Sequence, residues 1–82
     1  MLTGAQVRAA RHSLRWTVQE LAASAGVSVS TIKRIEVDDG VPSTSSKNLS
    51  AVKVAFEGAG IEFIGAADNA PGIRIHARPR AL

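Results

Sequence analysis

The stretch TVQELAASAGVSVSTIKRIE, residues 17–36, decides how this chain folds. Thr17 is a good N-cap residue, because its hydroxyl can accept a hydrogen bond from a free N–H of the first turn, and Glu20 completes a capping box three residues later. Gly26 can adopt a positive φ at little cost and so end that first helix. Ser28 can then cap a second helix. The stretch therefore predicts two short helices joined by a glycine turn.

The second of these helices has two chemically different faces. At about 100° per residue, Ile32 and Ile35 lie on one side. The opposite side carries Ser30, Lys33, Arg34 and Val37. A tight two-helix unit of this kind can place its second helix in the major groove of DNA, so this face is a candidate DNA-reading surface. The alternative interpretation is an ordinary amphipathic helix with a solvated charged face.

The size and charge of the chain fit a small domain with an anionic partner. Eighty-two residues make one domain with a small core, and 45% of them are apolar. The formal net charge is +3, and the excess is uneven: residues 1–56 carry seven Lys and Arg against four Asp and Glu, whereas residues 57–82 carry three of each. The positive charge therefore accompanies the two-helix stretch, as expected for a protein that binds a polyanion.

Several functional classes lack their sequence signals here. The chain has no cysteine, so neither disulfides nor thiolate chemistry are expected. No 18-residue apolar run and no basic-then-apolar leader pattern are present, so we expect a cytoplasmic protein without a membrane span. His12 and His76 are the only histidines, and no glycine-rich phosphate loop or metal-ligand spacing accompanies them. The sequence therefore predicts no catalytic site, no metal site and no cofactor.

Two further helices flank the central pair. Thr3 with Gln6 can form a capping box, which predicts a first helix over residues 3–14. Residues 37–45 predict a loop, because they are rich in Asp, Gly, Pro and Ser. A serine at 45 or 46 can cap the next helix. The inward stripe of that helix consists of Leu49, Val52, Phe56 and Ala59. Residues 1–60 are therefore predicted to form a compact helical domain.

The last third of the chain changes to a period of two. Residues 61–64 and 73–76 predict two β-strands, and the turn formers between them predict a loop over residues 65–72. The register that matches the apolar faces pairs Ile61 with Ile75, Glu62 with Arg74 and Phe63 with Ile73. The chain is thus predicted to be mainly α, with a C-terminal two-stranded β-ribbon.

A lone two-stranded ribbon is marginal in water, so residues 61–76 must pack on the helices or pair with another chain. The second possibility makes the ribbon a candidate dimerisation element. Its contacts would come from Ile61, Phe63, Ile64, Ile73 and Ile75. Packing on its own helices is the alternative. Residues 77–82, which include Arg78, Pro79 and Arg80, predict a flexible basic tail.

A specific pattern of residues runs through the two central helices: Leu21, Ala22, Ala25, Gly26, Val27, Ser28, Ile32, Ile35 and Glu36. On this pattern the chain resembles the xenobiotic-response-element (XRE) helix-turn-helix family, which includes phage Cro and repressor proteins. The resemblance covers residues 3–60. It implies a bundle of four or five helices, a homodimer that binds double-stranded DNA at a palindromic operator, and a role in transcriptional control.

The resemblance also implies roles for individual residues. DNA contacts would come from the first turn of helix 2 and from helix 3, which spans about residues 28–37: Thr17, Gln19, Ser28, Val29, Ser30, Thr31, Lys33 and Arg34. Among these, Arg34 can bond a guanine bidentately, whereas Lys33 fits a phosphate contact. Arg11 and Glu36 match an ion pair of the family between helix 1 and helix 3, a structural role.

Some positions depart from the family pattern and support a second hypothesis. Many members have glutamine where Val18 stands, a polar residue where Val29 stands, and a basic loop after helix 3. Here that region contains Val37, Asp38 and Asp39. These residues make the predicted DNA face less basic and more apolar. The alternative function is therefore a protein-binding antiactivator or antitoxin-like module that keeps the helix-turn-helix fold.

Overall fold

The computed structural model describes residues 2–76, which form four helices followed by a two-stranded antiparallel sheet. The elements in chain order are α1 (Gly4–Ser13), α2 (Val18–Ala25), α3 (Val29–Val37), α4 (Ser46–Gly58), β1 (Ile61–Ala66) and β2 (Asn69–Ile75). The mainly helical architecture with a terminal β-ribbon agrees with the sequence prediction, and the helix count is the lower of the two expected numbers. The predicted basic tail, residues 77–82, lies outside the described residues.

The helices begin at predicted N-caps: Thr3, Thr17, Ser28 and Ser45. At α2 the Thr17 hydroxyl accepts a hydrogen bond from the Glu20 N–H at 3.0 Å, and the Glu20 carboxylate accepts one from the Thr17 N–H at 2.9 Å. Gly26 ends α2 with a φ of 70°, the left-handed conformation that favours glycine. Short local signals therefore fix both ends of α2 and the start of α3.

The core lies where the helices meet the ribbon. Its largest fully buried apolar side chains come from all four helices and from β1: Val7, Leu21, Ile32, Ile35, Val52, Phe56 and Ile61. Phe56 is central, because its ring stacks on Trp16 at a centroid distance of 5.7 Å and packs edge-on with Phe63 at 5.9 Å. These aromatic contacts join the entry to α2, the end of α4 and β1 at one point.

The ribbon has the register that its apolar faces predict: Ile61 with Ile75, Glu62 with Arg74 and Phe63 with Ile73. The predicted strand ends are wrong, because both strands extend into residues 65–72, which were expected to form a loop. The register shifts between Ile64 and Ala66, where Gly65 has a φ of 76°, and pairing resumes between Ala66 and Asn69. Backbone pairing across this bulge needs no alternation of apolar residues, so the sequence gives no periodic signal for it.

The far end of the ribbon also differs from the prediction. His76 was expected in the second strand, but β2 ends at Ile75. The His76 N–H still donates to the carbonyl oxygen of Gly60 at 2.9 Å, just before β1 begins. The chain is therefore held at His76 by one backbone bond beyond the regular pairing.

Gln6 ties α1 to the ribbon. Its Oε1 accepts a hydrogen bond from the Thr3 N–H at 2.9 Å, which is the cap bond that the sequence predicts. Its Nε2 donates to the backbone oxygens of Ile64 at 3.2 Å and Gly72 at 2.9 Å, which face each other across the two strands. One buried side chain thus connects the start of α1 to the ribbon where its register begins to shift.

Candidate nucleic-acid interface

Helix α3 presents an apolar face to the core and a polar face to solvent. Ile32 and Ile35 are fully buried, and the helix packs against both α1 and α2. The residues on the opposite side are exposed: Ser30, Lys33, Arg34 and Val37. The two-faced helix that the periodicity predicts is therefore present, with its basic face directed outward.

Lys33 and Arg34 are both free to meet a ligand. Within residues 2–76 neither side chain makes a hydrogen bond or an ion pair. Arg34 carries a planar guanidinium that can bind two acceptors at once, whereas the Lys33 ammonium is a compact point charge. Arg34 can therefore make one planar, bidentate contact, and Lys33 can make one contact with a phosphate.

At the start of α3, some of the residues that were predicted to contact DNA take part in the protein's own fold. Ser28 Oγ accepts a hydrogen bond from the Thr31 N–H at 3.1 Å and lies 2.9 Å from Thr31 Oγ1, so both hydroxyls take part in the helix cap. Val29 is half-buried and packs against the core. Ser30 is exposed, and its side chain takes no part in the cap.

The start of α2 likewise combines a capping hydroxyl, a valine that packs against the core and an exposed polar side chain. The Thr17 hydroxyl is exposed but already accepts the capping bond from the Glu20 N–H. Val18 is half-buried against the core, which explains an apolar residue at that position. Gln19 is exposed. Because the first N–H groups of a helix have no partner within the helix, the backbone at Val18 and Gln19 can also donate to a phosphate.

Arg11 and Glu36 form a two-pronged ion pair between α1 and α3. Arg11 Nε lies 2.8 Å from Glu36 Oε2, and its second terminal nitrogen lies 2.9 Å from Oε1. Arg11 also donates to the carbonyl oxygen of Trp16 at 3.0 Å. The hydrogen bonds that Arg11 donates to the Glu36 carboxylate raise the pKa of Arg11 above its ordinary value, an effect that burial partly opposes. The pair is largely buried, so it orients α3 rather than facing a ligand.

Arg8 makes a second link between α1 and the end of α3 that sequence reasoning missed. Its guanidinium donates to the carbonyl oxygen of Glu36 and pairs with the carboxylate of Asp39. Arg8 and Asp39 are 31 residues apart, so no local spacing rule could have indicated the pair. One of the two acids that follow α3 therefore has a cation of the protein beside it, although its side chain is largely exposed.

The predicted dimerisation residues divide between the core and the surface. Ile61 is fully buried, and Phe63 and Ile73 pack against the core, so these three serve the protein's own fold. Ile64 is half-buried. Ile75 is 61% exposed, although it pairs with the buried Ile61. Of these five side chains, Ile75 is the one that is exposed.

The described residues hold no cluster suited to a metal ion. Within residues 2–76, no group of three or more His, Cys, Asp or Glu side chains could bind one. His12 is exposed near the end of α1, and His76 Nε2 lies 2.9 Å from a Glu62 carboxylate oxygen. In the same part of the chain, no helix has both the length and the apolar character needed to cross a membrane.

Comparison with known proteins identifies the domain type. A family model described as a helix-turn-helix domain matches residues 3–47, which are 45 of the 82 residues and contain α1 to α3. Searches of curated proteins and of solved structures returned no match. A domain of this type suggests a DNA-binding regulator. The matched segment includes both the two-helix unit and the basic face of α3, and on this match the chain belongs to the helix-turn-helix domain family.

Proposed function

We propose that this protein is a sequence-specific transcriptional regulator of the XRE class, which binds a palindromic operator as a dimer with α3 in the major groove. The observation that carries the proposal is the outer face of α3. Lys33 and Arg34 are exposed and unpaired within residues 2–76, while Ile32 and Ile35 fix the same helix against the core. A rigid helix with a free basic face loses little conformational entropy when it binds a polyanion.

The contacts in this proposal follow from side-chain chemistry. Arg34 bonds O6 and N7 of a guanine, and Lys33 neutralises a phosphate. Ser30 and Gln19 supply exposed polar groups, whereas Ser28, Thr31 and Thr17 act mainly through the caps that orient the first turns. In a symmetric dimer the two copies of α3 would lie about 34 Å apart, one turn of B-DNA.

Binding to duplexes selected from a random-sequence pool tests this function. The double substitution Lys33→Ala with Arg34→Ala should weaken binding at least about tenfold and lower the slope of log affinity against log salt by roughly one, because Lys33 makes the phosphate contact. Lys47→Ala with Lys53→Ala is the matched control, because it removes the same charge from exposed positions of α4. Equal losses in the two double variants would contradict the assignment of α3 as the reading helix.

Dimerisation is proposed to use the ribbon. Its support is the exposed Ile75 and the fact that, within residues 2–76, each of the two strands has one edge that pairs with no other strand. Removing the whole ribbon would not test this, because Ile61 and Phe63 belong to the core. Ile75→Lys should convert a dimer to a monomer in sedimentation experiments, whereas Val54→Lys on the exposed side of α4 should not. A wild-type monomer, or a dimer that survives Ile75→Lys, would contradict the proposal.

A protein-binding function remains the second candidate, and one observation favours it. Val37 is an exposed apolar residue at the end of α3. The structure supplies other reasons for three features that motivated this hypothesis, since Val18 and Val29 pack against the core and Asp39 pairs with Arg8. Recovery of a stable protein partner, together with no binding to any selected duplex, would favour the protein-binding function.

A further inference from the structure

The outer face of α3 contains one apolar side chain that the proposed DNA contacts leave unexplained. Val37 is 82% exposed, more than Val54 at 64% or Ile75 at 61%. Val18 and Val29, the other valines of α2 and α3, pack against the core. Single exposed apolar residues are common and often have no role. The position of Val37 on the helix is what distinguishes it.

Val37 lies within the basic face rather than beside it. At about 100° per residue, its direction falls within roughly 60° of the directions of Ser30, Lys33 and Arg34. Seven residues separate Ser30 from Val37, which corresponds to about 10 Å along the helix axis, or roughly three base-pair steps of DNA. A DNA strand that meets Ser30 and Lys33 therefore passes close to Val37 when it follows the axis of α3.

The two acids that follow Val37 are turned toward the protein's own groups. Asp38 Oδ1 accepts a hydrogen bond from the Gly40 N–H at 2.9 Å. Asp39 pairs with Arg8, whose charge offsets its own. The Arg8 cation reduces the repulsion between Asp39 and a nearby phosphate, whereas the hydrogen bond to Asp38 leaves the charge of that carboxylate unchanged. The end of α3 is therefore better suited to close contact with DNA than its sequence suggests.

We propose that Val37 is a specificity-determining residue that contacts the 5-methyl group of a thymine in the major groove. The inference rests on the proposed DNA-binding function and identifies a base that this site reads. Thymine is the base that presents an apolar group in the major groove, whereas cytosine presents an amino donor there. A valine within about 4.5 Å of that edge stabilises the methyl group and leaves a cytosine amino group without an acceptor. Val37 therefore favours thymine over cytosine at one position.

The test combines a base that lacks one methyl group with a protein that lacks the valine methyls. Duplexes are first selected from a random-sequence pool with the full chain, and each thymine of the selected site is then replaced in turn by deoxyuridine. At one thymine this replacement should weaken wild-type binding about fourfold, the effect of losing one buried methyl group. Val37→Ala should bind the unmodified duplex more weakly by a similar factor and should be insensitive to deoxyuridine at that same position.

Val54→Ala is the matched control, because Val54 is also an exposed valine on a helix but lies on α4. It should show the wild-type response to deoxyuridine. A site without a methyl-sensitive thymine, or a Val37→Ala variant with the full wild-type sensitivity at each position, overturns the proposal while leaving the DNA-binding function intact. If no duplex is enriched, the proposed function fails and this inference fails with it.

Discussion

Gly4 stands at the first position of α1, where the backbone that ends α3 passes directly over it. A Cβ at this position would collide with the carbonyl oxygens of Asp38 and Ile35, and the Gly4 N–H donates to the carbonyl oxygen of Gly40 at 2.9 Å. These neighbours are backbone atoms, which cannot rotate away as a flexible side chain could. The close approach of α1 to the end of α3 therefore requires glycine.

Gly4→Ala should consequently lower the free energy of unfolding by about 3 kcal/mol, because the new methyl group forces the junction after α3 outward. Urea denaturation measures this change. Gly58→Ala is the control: a Cβ there meets no atom within 4 Å, and alanine favours the helix, so stability should rise by about 0.5 kcal/mol. Similar losses in both variants would show that the Gly4 contact does not decide the effect.

The Arg11–Glu36 pair gives a second prediction at single residues. Arg11→Met should lower stability by about 3 kcal/mol, because it leaves the Glu36 carboxylate buried without its cation. Arg11→Met with Glu36→Met should recover most of that loss, since no uncompensated charge then remains. Chemical denaturation of Arg11→Met, of Glu36→Met and of the double variant measures the coupling energy between the two residues. Additive losses would contradict this account of the pair.

The pH dependence of the pair follows from the direction of the pKa shift. The pKa of Arg11 is higher in the folded protein than its ordinary value, because the folded state hydrogen-bonds the charged form to Glu36. This contribution to stability is fully present below the pKa of an unfolded arginine and is lost only as the pH rises through the folded value. Titration of Arg11 should therefore add no slope to the stability between about pH 5 and pH 9, which denaturation at several pH values can check.

At the scale of elements, the attachment of the ribbon depends on Gln6. Gln6→Glu keeps the acceptor for the Thr3 N–H but replaces a donor with a carboxylate oxygen beside the carbonyl oxygens of Ile64 and Gly72. We expect a loss of about 2–3 kcal/mol and faster amide hydrogen exchange in β1 and β2, with smaller changes in α2 and α3. Gln6→Met, which removes the donor without adding charge, should have a smaller effect. Uniform loss of protection in all elements would contradict a local role.

The helices could be predicted because their signals are local. Thr17 with Glu20, Gly26 and the Ile32–Ile35 pair lie within one stretch, and each acts through atoms a few residues away. The ribbon register was predictable for a similar reason, since the alternating isoleucines and phenylalanine allow one pairing that buries them together. The helical period also separated the outer face of α3 from the face that packs on the core.

The features that the sequence did not reveal depend on contacts between distant segments. Gly4 gives no sign in the sequence that another backbone lies against it, and the Arg8–Asp39 pair joins residues that no repeat relates. The bulge at Gly65 continues the strands through residues that have low β-propensity. At the candidate interface, the resemblance assigned Val29 to DNA contact although it packs against the core, whereas Val37, which the helical period placed on the outer face, is exposed. Tertiary packing, rather than residue type, separates those two valines.

At the scale of the whole molecule, pairing within the fold changes which charges are available to DNA. Arg11 is matched by Glu36 and Arg8 by Asp39, so two of the cations near α3 already have an acidic partner within the fold. Lys33 carries a charge that no acid within residues 2–76 pairs with. The net charge of +3 therefore gives less information about DNA binding than the identity of the unpaired cations does.

Asp39→Asn tests this distinction, because it frees Arg8 without removing any cation. In the proposed complex, Arg8 near the end of α3 would then neutralise a further phosphate, so affinity at low salt should rise severalfold and the salt slope should steepen by up to about one. Asp68→Asn raises the net charge by the same amount in the exposed turn of the ribbon and is the matched control. Salt titrations of both variants on one selected duplex give the two slopes. If both variants change the salt slope equally, net charge governs binding. If Asp39→Asn alone changes the salt slope, the pairing of individual charges around α3 governs binding.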